Sequence, residues 1–346
     1  MSDLLNRYLE KSARNHRLSS LEFEITDKCN LNCDHCYKIR SHNFIKVNLF
    51  KKAIDQAAAA GAIKIGFNGG EPLLHPDFLE LANYALRKGM ALTINSNGTL
   101  FTPKLFAFFK KWKGVLFQIS LYGHNATSSK KITGDATAYA KTMQTINTMA
   151  KLGFTFKVAL LARRDEQTHL ASLYEKLSSR GIIVHFQPYI SGRENGDKYP
   201  LSLNIESKTD LEKLIRLDTQ PDLEEEQERK SFVETNTPSS ACGAGISSLS
   251  IKSNGDIHPC IMSSLVLGNL HQSSLSEIFN SAKLKEFRRQ NLLPPECKNC
   301  QYWQFCARCP IIDSFETGDP LKISSRNCQI ARLRKKLNDK FKKQDR

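Results

Sequence analysis

The stretch LEFEITDKCNLNCDHCY (21–37) decides how the chain is read. Its first six residues alternate apolar and polar side chains, the two-residue period of a half-buried strand. Its last nine place Cys29, Cys33 and Cys36 in a C-x3-C-x2-C spacing directly after that strand. Structural zinc takes four ligands, usually as two separated pairs. Three close thiolates without an adjacent fourth suit a cubane cluster better, with one iron left open for a small molecule. A chance grouping is the plain alternative in a chain of ten cysteines. The position straight after a strand counts against it.

Outward from this stretch, strands and helices alternate. VNLFKKAIDQAAAA (47–60) reads as a helix ended by Gly61, and AIKIGF (62–67) as a buried strand. PDFLELANYALRKG (76–89) has helical spacing, with proline near its start and glycine at its end. ALTINS (91–96), VLFQIS (115–120), FTFKVALLA (154–162) and IIVHFQPYI (182–190) follow as strands. Helices near 103–113, 137–152 and 166–180 separate them. This rhythm predicts a parallel β/α architecture with right-handed crossovers. In such folds chemistry collects on loops at the carboxyl ends of the strands. FNGGEP (67–72), NSNGTL (95–100) and SLYG (120–123) all stand at such ends. Gly69 and Gly70 let a backbone approach a ligand closely, and Glu71 supplies an acceptor. Asn97-Gly98 serves equally well as an ordinary turn.

Beyond a loop at SGRENGDKYP (191–200), residues 201–240 are polar and acidic and read as a helical connection. A C-terminal unit then carries Cys242, Cys260, Cys297, Cys300, Cys306, Cys309 and Cys328. Its two C-x2-C pairs alone would fit zinc. Zinc leaves three of these cysteines without a role, whereas two clusters with interleaved ligands use all of them.

With 346 residues, 40% hydrophobic and 25% charged, the composition is that of a globular protein of one large or two moderate domains. No apolar run approaches the ~18 residues of a membrane-spanning helix. The N-terminal MSDLLNRYLEKSARNHR lacks the apolar core of a secretory signal, so the expectation is a cytoplasmic protein with reduced thiols. The net charge of +15 is concentrated at ARLRKKLNDKFKKQDR (331–346), read as a solvated, partly helical tail. No spacing supports specific nucleic-acid readout.

The C-x3-C-x2-C motif after a first strand resembles the signature of the radical S-adenosylmethionine superfamily. That resemblance implies a partial (β/α)6 TIM-like barrel over 21–195, following an arm of about 20 residues. It implies that Cys29, Cys33 and Cys36 hold a [4Fe–4S] cluster whose open iron chelates S-adenosylmethionine. Gly69, Gly70 and Glu71 look like the family's GGE motif, implying contact with the methionyl ammonium through a charge-assisted hydrogen bond. His35 stands in the position that packs near adenine; a loop histidine at the barrel mouth is its plain alternative. Ser96, Asn97 and Ser120 match segments that approach the ribose and carboxylate. Lys131 matches a place where relatives often carry arginine, and could pair with the carboxylate only as a point charge.

Residues 241–330 resemble the SPASM auxiliary-cluster domain. By that resemblance Cys297, Cys300, Cys306 and Cys328 hold an outer [4Fe–4S] cluster, and Cys242, Cys260 and Cys309 an inner one. The compact run ends C-x2-C here, where the family has C-x3-C, which weakens the assignment of Cys309. The resemblance implies an enzyme that cleaves S-adenosylmethionine to a 5′-deoxyadenosyl radical. The expected substrate is a ribosomally made peptide, on the likeness of CPIIDSFETGDP (309–320) to peptide maturases. A small cofactor of tetrapyrrole or quinone type is the alternative substrate, and an electron carrier without catalysis is the alternative of another class. Sulfatase maturation is disfavoured, because Ile261 and Met262 follow Cys260 where those enzymes carry an aspartate base. The expected partners are a reductant such as flavodoxin or ferredoxin and a separate leader-recognition protein, with the basic tail as a second candidate for leader binding.

Overall fold

The structure, a computed structural model, describes residues 3–218, 243–290, 294–297, 299–306 and 308–344. After a first helix, α1 (Asp3–Arg14), the chain alternates strand and helix. The run is β1 (Ser20–Thr26), α2 (Val47–Ala59), β2 (Lys64–Gly69), α3 (Phe78–Arg87), β3 (Ala91–Ser96), α4 (Pro103–Phe109) and β4 (Val115–Leu121). Two helices, α5 (Ala126–Thr133) and α6 (Ala138–Leu152), then lead to β5 (Phe156–Leu161), α7 (Gln167–Ser178) and β6 (Ile183–Gln187). These six strands pair in parallel in chain order, β6-β5-β4-β3-β2-β1. This is the expected partial barrel.

Strand periodicity explains its two faces. Leu21, Phe23 and Ile25 are fully buried on the helix side of β1. An aromatic run continues that layer, Phe23–Phe50–Phe67–Phe78–Phe109–Phe117, with successive ring centroids 4.8, 5.6, 5.9, 6.1 and 5.1 Å apart. Such contacts add to plain area burial and tie α2, α3 and α4 to the sheet. The alternate residues face the barrel interior and are polar. Glu22 accepts from Asn68, and Asn68 accepts from Asn95, forming a ladder across β1, β2 and β3. Gly66 makes room for it, because a Cβ there would lie 1.8 Å from a Glu22 carboxylate oxygen. Closed TIM barrels fill this space with branched aliphatics. Here it is lined with amides and carboxylates.

The helix ends follow local rules. Thr102 caps α4 ahead of Pro103, and Asn125 and Ser128 form a capping box at α5. The short polar α5 was not foreseen from the sequence.

After α8 (Lys208–Asp218), the described chain resumes with β7 (Ser248–Ile251), β8 (Asp256–His258) and β9 (Gly268–Asn269). Then come α9 (Leu275–Phe279), α10 (Ala282–Gln290), α11 (Pro310–Thr317) and α12 (Ser325–Gln344). β7 pairs in parallel with β1, Ser20 opposite Ser248 and Phe23 opposite Ile251, so the sheet runs unbroken into the C-terminal unit. The basic stretch 331–346, read as a solvated, partly helical tail, is helical as expected but is not wholly solvated. Up to Gln344 it is the end of α12, and Ile330, Leu333 and Leu337, at i, i+3 and i+7, are buried along one helix face. Lys336 pairs with Glu212 of α8 at 2.8 Å.

Candidate active site and cluster sites

The first cysteine loop leaves β1 and crosses the carboxyl ends of the strands. Cys29, Cys33 and Cys36 are free and half-buried, and the Cys36 N–H closes a turn onto the Cys33 carbonyl at 3.2 Å. Burial pushes the Cys33 thiol far up, and the neighbouring Cys36 and Cys29 add to the shift. Cys29 moves the same way, with burial again the main cause. Three neighbouring thiols, two of them kept protonated by burial and by the others' proximity, form a donor set suited to a thiolate-bound metal group. The residues therefore fit a [4Fe–4S] cluster with three protein ligands.

Neighbouring elements fix this loop. The Asn32 and Asp34 N–H groups donate to the Thr133 and Ile132 carbonyls at 2.7 and 3.1 Å, satisfying the last turn of α5. Asn30 bridges to β3's loop, donating to Thr99 and accepting from Asn97, both at 2.9 Å.

Gly69 and Gly70 bring the end of β2 against this loop. Gly70 N–H donates to the Thr26 carbonyl and Glu71 N–H to the Lys28 carbonyl, both at 2.8 Å. A Cβ at Gly69 would lie 2.1 Å from the Thr26 oxygen, and one at Gly70 2.2 Å from the Lys28 oxygen. Gly69 also has φ of +140°, a region that side chains avoid. The fully buried Glu71 accepts from the Ser96 hydroxyl and the Asn97 N–H at 2.8 Å, and from the Leu73 N–H at 3.2 Å. Burial nevertheless pushes its carboxyl up to about 7. Ser96 and Asn97, singled out as ligand contacts, here hold Glu71 in place.

His35 lies against Tyr122, ring centroids 4.8 Å apart at 50°, and burial keeps its imidazole pKa low. Ser120 hydrogen-bonds the Tyr122 hydroxyl, whose own pKa burial raises. Lys131, exposed on α5, pairs with Asp165 at 2.9 Å. Asp34 and Arg163, which sequence reasoning missed, meet beside these groups: Arg163 is 1% exposed and grips Asp34 and Asp165 at once.

In the C-terminal unit, burial raises the thiols of Cys297, Cys306 and Cys328, and Cys300 lies near enough to add to the shift of each. Burial is the first cause in pushing Cys297 up to about 11, and Cys306, Cys328 and Cys300 add to it. Four neighbouring thiols fit a fully protein-ligated cluster on the same argument. A buried ion pair braces them: Arg308, between Cys306 and Cys309, lies 3.0 Å from Asp313 of α11. Asp313 in turn accepts from Ser324 N–H and Asn327 near the start of α12, which carries Cys328. Cys309 is the residue preceding α11, and Cys260 follows β8. Cys242 lies outside the described residues.

Comparison with known proteins gives this geometry a context. Residues 23–168 match the model of the radical SAM superfamily, and residues 242–301 that of SPASM, an iron–sulfur cluster-binding domain. The chain is 24% identical over 327 residues to an AdoMet-dependent heme synthase of Methanosarcina barkeri, covering 87% of this chain and 94% of that protein. It is 25% identical over 272 residues to the antilisterial bacteriocin subtilosin biosynthesis protein AlbA of Bacillus subtilis, covering 75% of this chain and 59% of AlbA. Among solved structures, Streptococcus suis SuiB bound to its precursor peptide SuiA superposes with a TM-score of 0.70 at 17% identity, over 93% of this chain and 79% of SuiB.

Proposed function

We propose that the chain, whose residues 23–168 match the radical SAM superfamily model and residues 242–301 the SPASM model, is a radical SAM enzyme acting as an oxidising maturase of a ribosomally made peptide. When bound, the first cluster and S-adenosylmethionine supply a 5′-deoxyadenosyl radical that removes hydrogen from an unactivated carbon. The chain's own residues do the rest. Cys29, Cys33 and Cys36 would hold the cluster through three thiolates. Glu71, oriented by Ser96 and Asn97, presents a carboxylate to the methionyl ammonium, while Gly69 and Gly70 bring it close. His35 and Tyr122 offer ring surface for the adenine. Cys297, Cys300, Cys306 and Cys328 would hold one auxiliary cluster, and Cys242, Cys260 and Cys309 would belong to a second; such clusters would supply electron-transfer chemistry.

The observation that carries the peptide reading is the polar barrel interior. Glu22, Asn68 and Asn95 form a hydrogen-bonding wall below the cysteine loop, chemistry that matches backbone amides and polar side chains. The similarity to AlbA and the likeness of shape to peptide-bound SuiB support it. A second reading, modification of a tetrapyrrole or other small cofactor, draws on the similarity to the heme synthase along nearly its whole length.

The test is anaerobic reconstitution beside a Cys29/Cys33/Cys36→Ala variant. About twelve irons in the parent, about eight in the variant, and 5′-deoxyadenosine from the parent alone are expected, at about four irons per cubane. Incubation with a short precursor peptide encoded nearby should then yield a product lighter by a pair of hydrogens. Turnover of a tetrapyrrole with no change in any such peptide would favour the second reading. Stoichiometric zinc and no nucleoside product would end both.

A further inference from the structure

Arg163 follows the end of β5 and is the largest fully buried side chain of the described residues. Its guanidinium makes two forks. Nε and Nη2 donate to the Asp165 carboxylate at 2.9 and 3.0 Å. Nη1 and Nη2 donate to the two oxygens of Asp34, the latter at 3.1 Å. Lys131 completes the group on Asp165, so two cations face two carboxylates. Asp34 lies between Cys33 and Cys36. His35 Nδ1 also lies 3.5 Å from Asp34 Oδ1. A second arginine, Arg193 from the loop after β6, donates to the Asp34 carbonyl at 3.0 Å.

We propose that Arg163 is a positioning residue for the first cysteine loop: it clamps Asp34, and with it the Cys33–Cys36 turn and the His35 ring, to the carboxyl end of β5. Arg163 touches none of the three thiols in the hydrogen-bond network, so it acts through Asp34. A buried guanidinium is costly unless both forks are filled, so the clamp favours the docked loop over alternatives. The fork also explains arginine rather than lysine, since a point charge cannot hold two carboxylates in fixed planes. The consequence is a loop whose thiol spacing is set before iron arrives. The inference rests on the reading of Cys29, Cys33 and Cys36 as cluster ligands.

The experiment uses the full chain as Asp34→Asn, Arg163→Lys, the double variant and, as control, Arg164→Ala, whose partner Glu206 is solvent-exposed. Three quantities are read anaerobically: the melting temperature of the cluster-free chain, the rates of iron uptake and of iron loss to a chelator, and the electron paramagnetic resonance of the reduced first cluster with and without S-adenosylmethionine. Asp34→Asn and Arg163→Lys should each take up the first four irons at least about fivefold more slowly and lose them at least about fivefold faster. They should also broaden the resonance and blunt its response to S-adenosylmethionine. The double variant should be no worse than the poorer single one, because both break the same clamp. Arg164→Ala should behave as the parent. If Arg163→Lys does not fold, Asp34→Asn, at a partly exposed carboxylate, carries the test alone. Parental iron kinetics and resonance in Asp34→Asn overturn the proposal while leaving the cluster reading intact. Loss of no iron in the Cys29/Cys33/Cys36→Ala variant overturns the cluster reading and the proposal together.

Discussion

Ser96, the last residue of β3, donates a 2.8 Å hydrogen bond to Glu71, just past the end of β2, and so fixes a fully buried carboxyl beside the first cysteine loop. Burial outweighs this bond and those from Asn97 and Leu73, so the group sits at about 7 instead of its usual 4.5. An acid whose folded value is raised costs stability as pH climbs from the unfolded value to the folded one. The loss runs from about 4.5 to about 7 and is level above. Integrated, it is at most about 3 kcal/mol. Glu71→Gln removes the slope. The melting temperature of the cluster-free parent should therefore fall relative to that of the variant between about pH 4.5 and about pH 7, the window those values set. Parallel curves would contradict the placement of this carboxyl.

Gly69 and Gly70 are constrained by backbone atoms that cannot move aside. Gly70→Ala drives a methyl into the Lys28 carbonyl and must push the cysteine loop away from β2. We expect a stability loss of about 2–4 kcal/mol by chemical denaturation, and loss of the first cluster's iron. Gly89→Ala is the comparison: its Cβ meets nothing within 4 Å, and only its positive φ of 79° is disfavoured. That change should cost about 1 kcal/mol and leave iron content alone.

On α12 the apolar positions, not the charges, should dominate stability. Leu333 and Leu337 are each 1% exposed, and replacement by alanine should cost about 2–5 kcal/mol apiece. Lys336→Ala breaks a half-exposed pair with Glu212 and should cost less than about 1 kcal/mol. Denaturant titrations of the three variants decide the order. Removing residues 332–346 would take both leucines away, so peptide binding by this stretch is better tested by reversing exposed lysine charges.

Much of the barrel was legible because its signals are local. The helix read at 137–152 is found at Ala138–Leu152, and its end is set by Gly153 with φ of +68°. Alternation in β1 gave both the strand and its apolar face, and the three thiols of the first loop are adjacent in sequence. What escaped was non-local or weakly patterned. Arg163 and Asp34 are 129 residues apart, and nothing in LLARRDE distinguishes a buried guanidinium from its exposed neighbour Arg164. ATSSKKIT carries no apolar stripe, so α5 rests on the Asn125 cap and the Gly134 stop. In α12 lysines and arginines outnumber the buried leucines, and net charge masked a helix face whose spacing was there to be read.

The pairing of β1 with β7 bears on how the molecule comes into being. Ser19 bonds to Ser247 across 228 residues, so the first strand made at the ribosome meets its outer neighbour only when most of the chain has emerged. Until then β1 offers an open edge, the kind of surface on which unfinished chains pair with one another. Contacts of such long range also form slowly. Iron delivered early would therefore meet a cysteine loop whose supporting strand still lacks its outer neighbour. Synthesis slowed after residue 251, or a chaperone that shields β1, should raise the yield of soluble, iron-loaded protein.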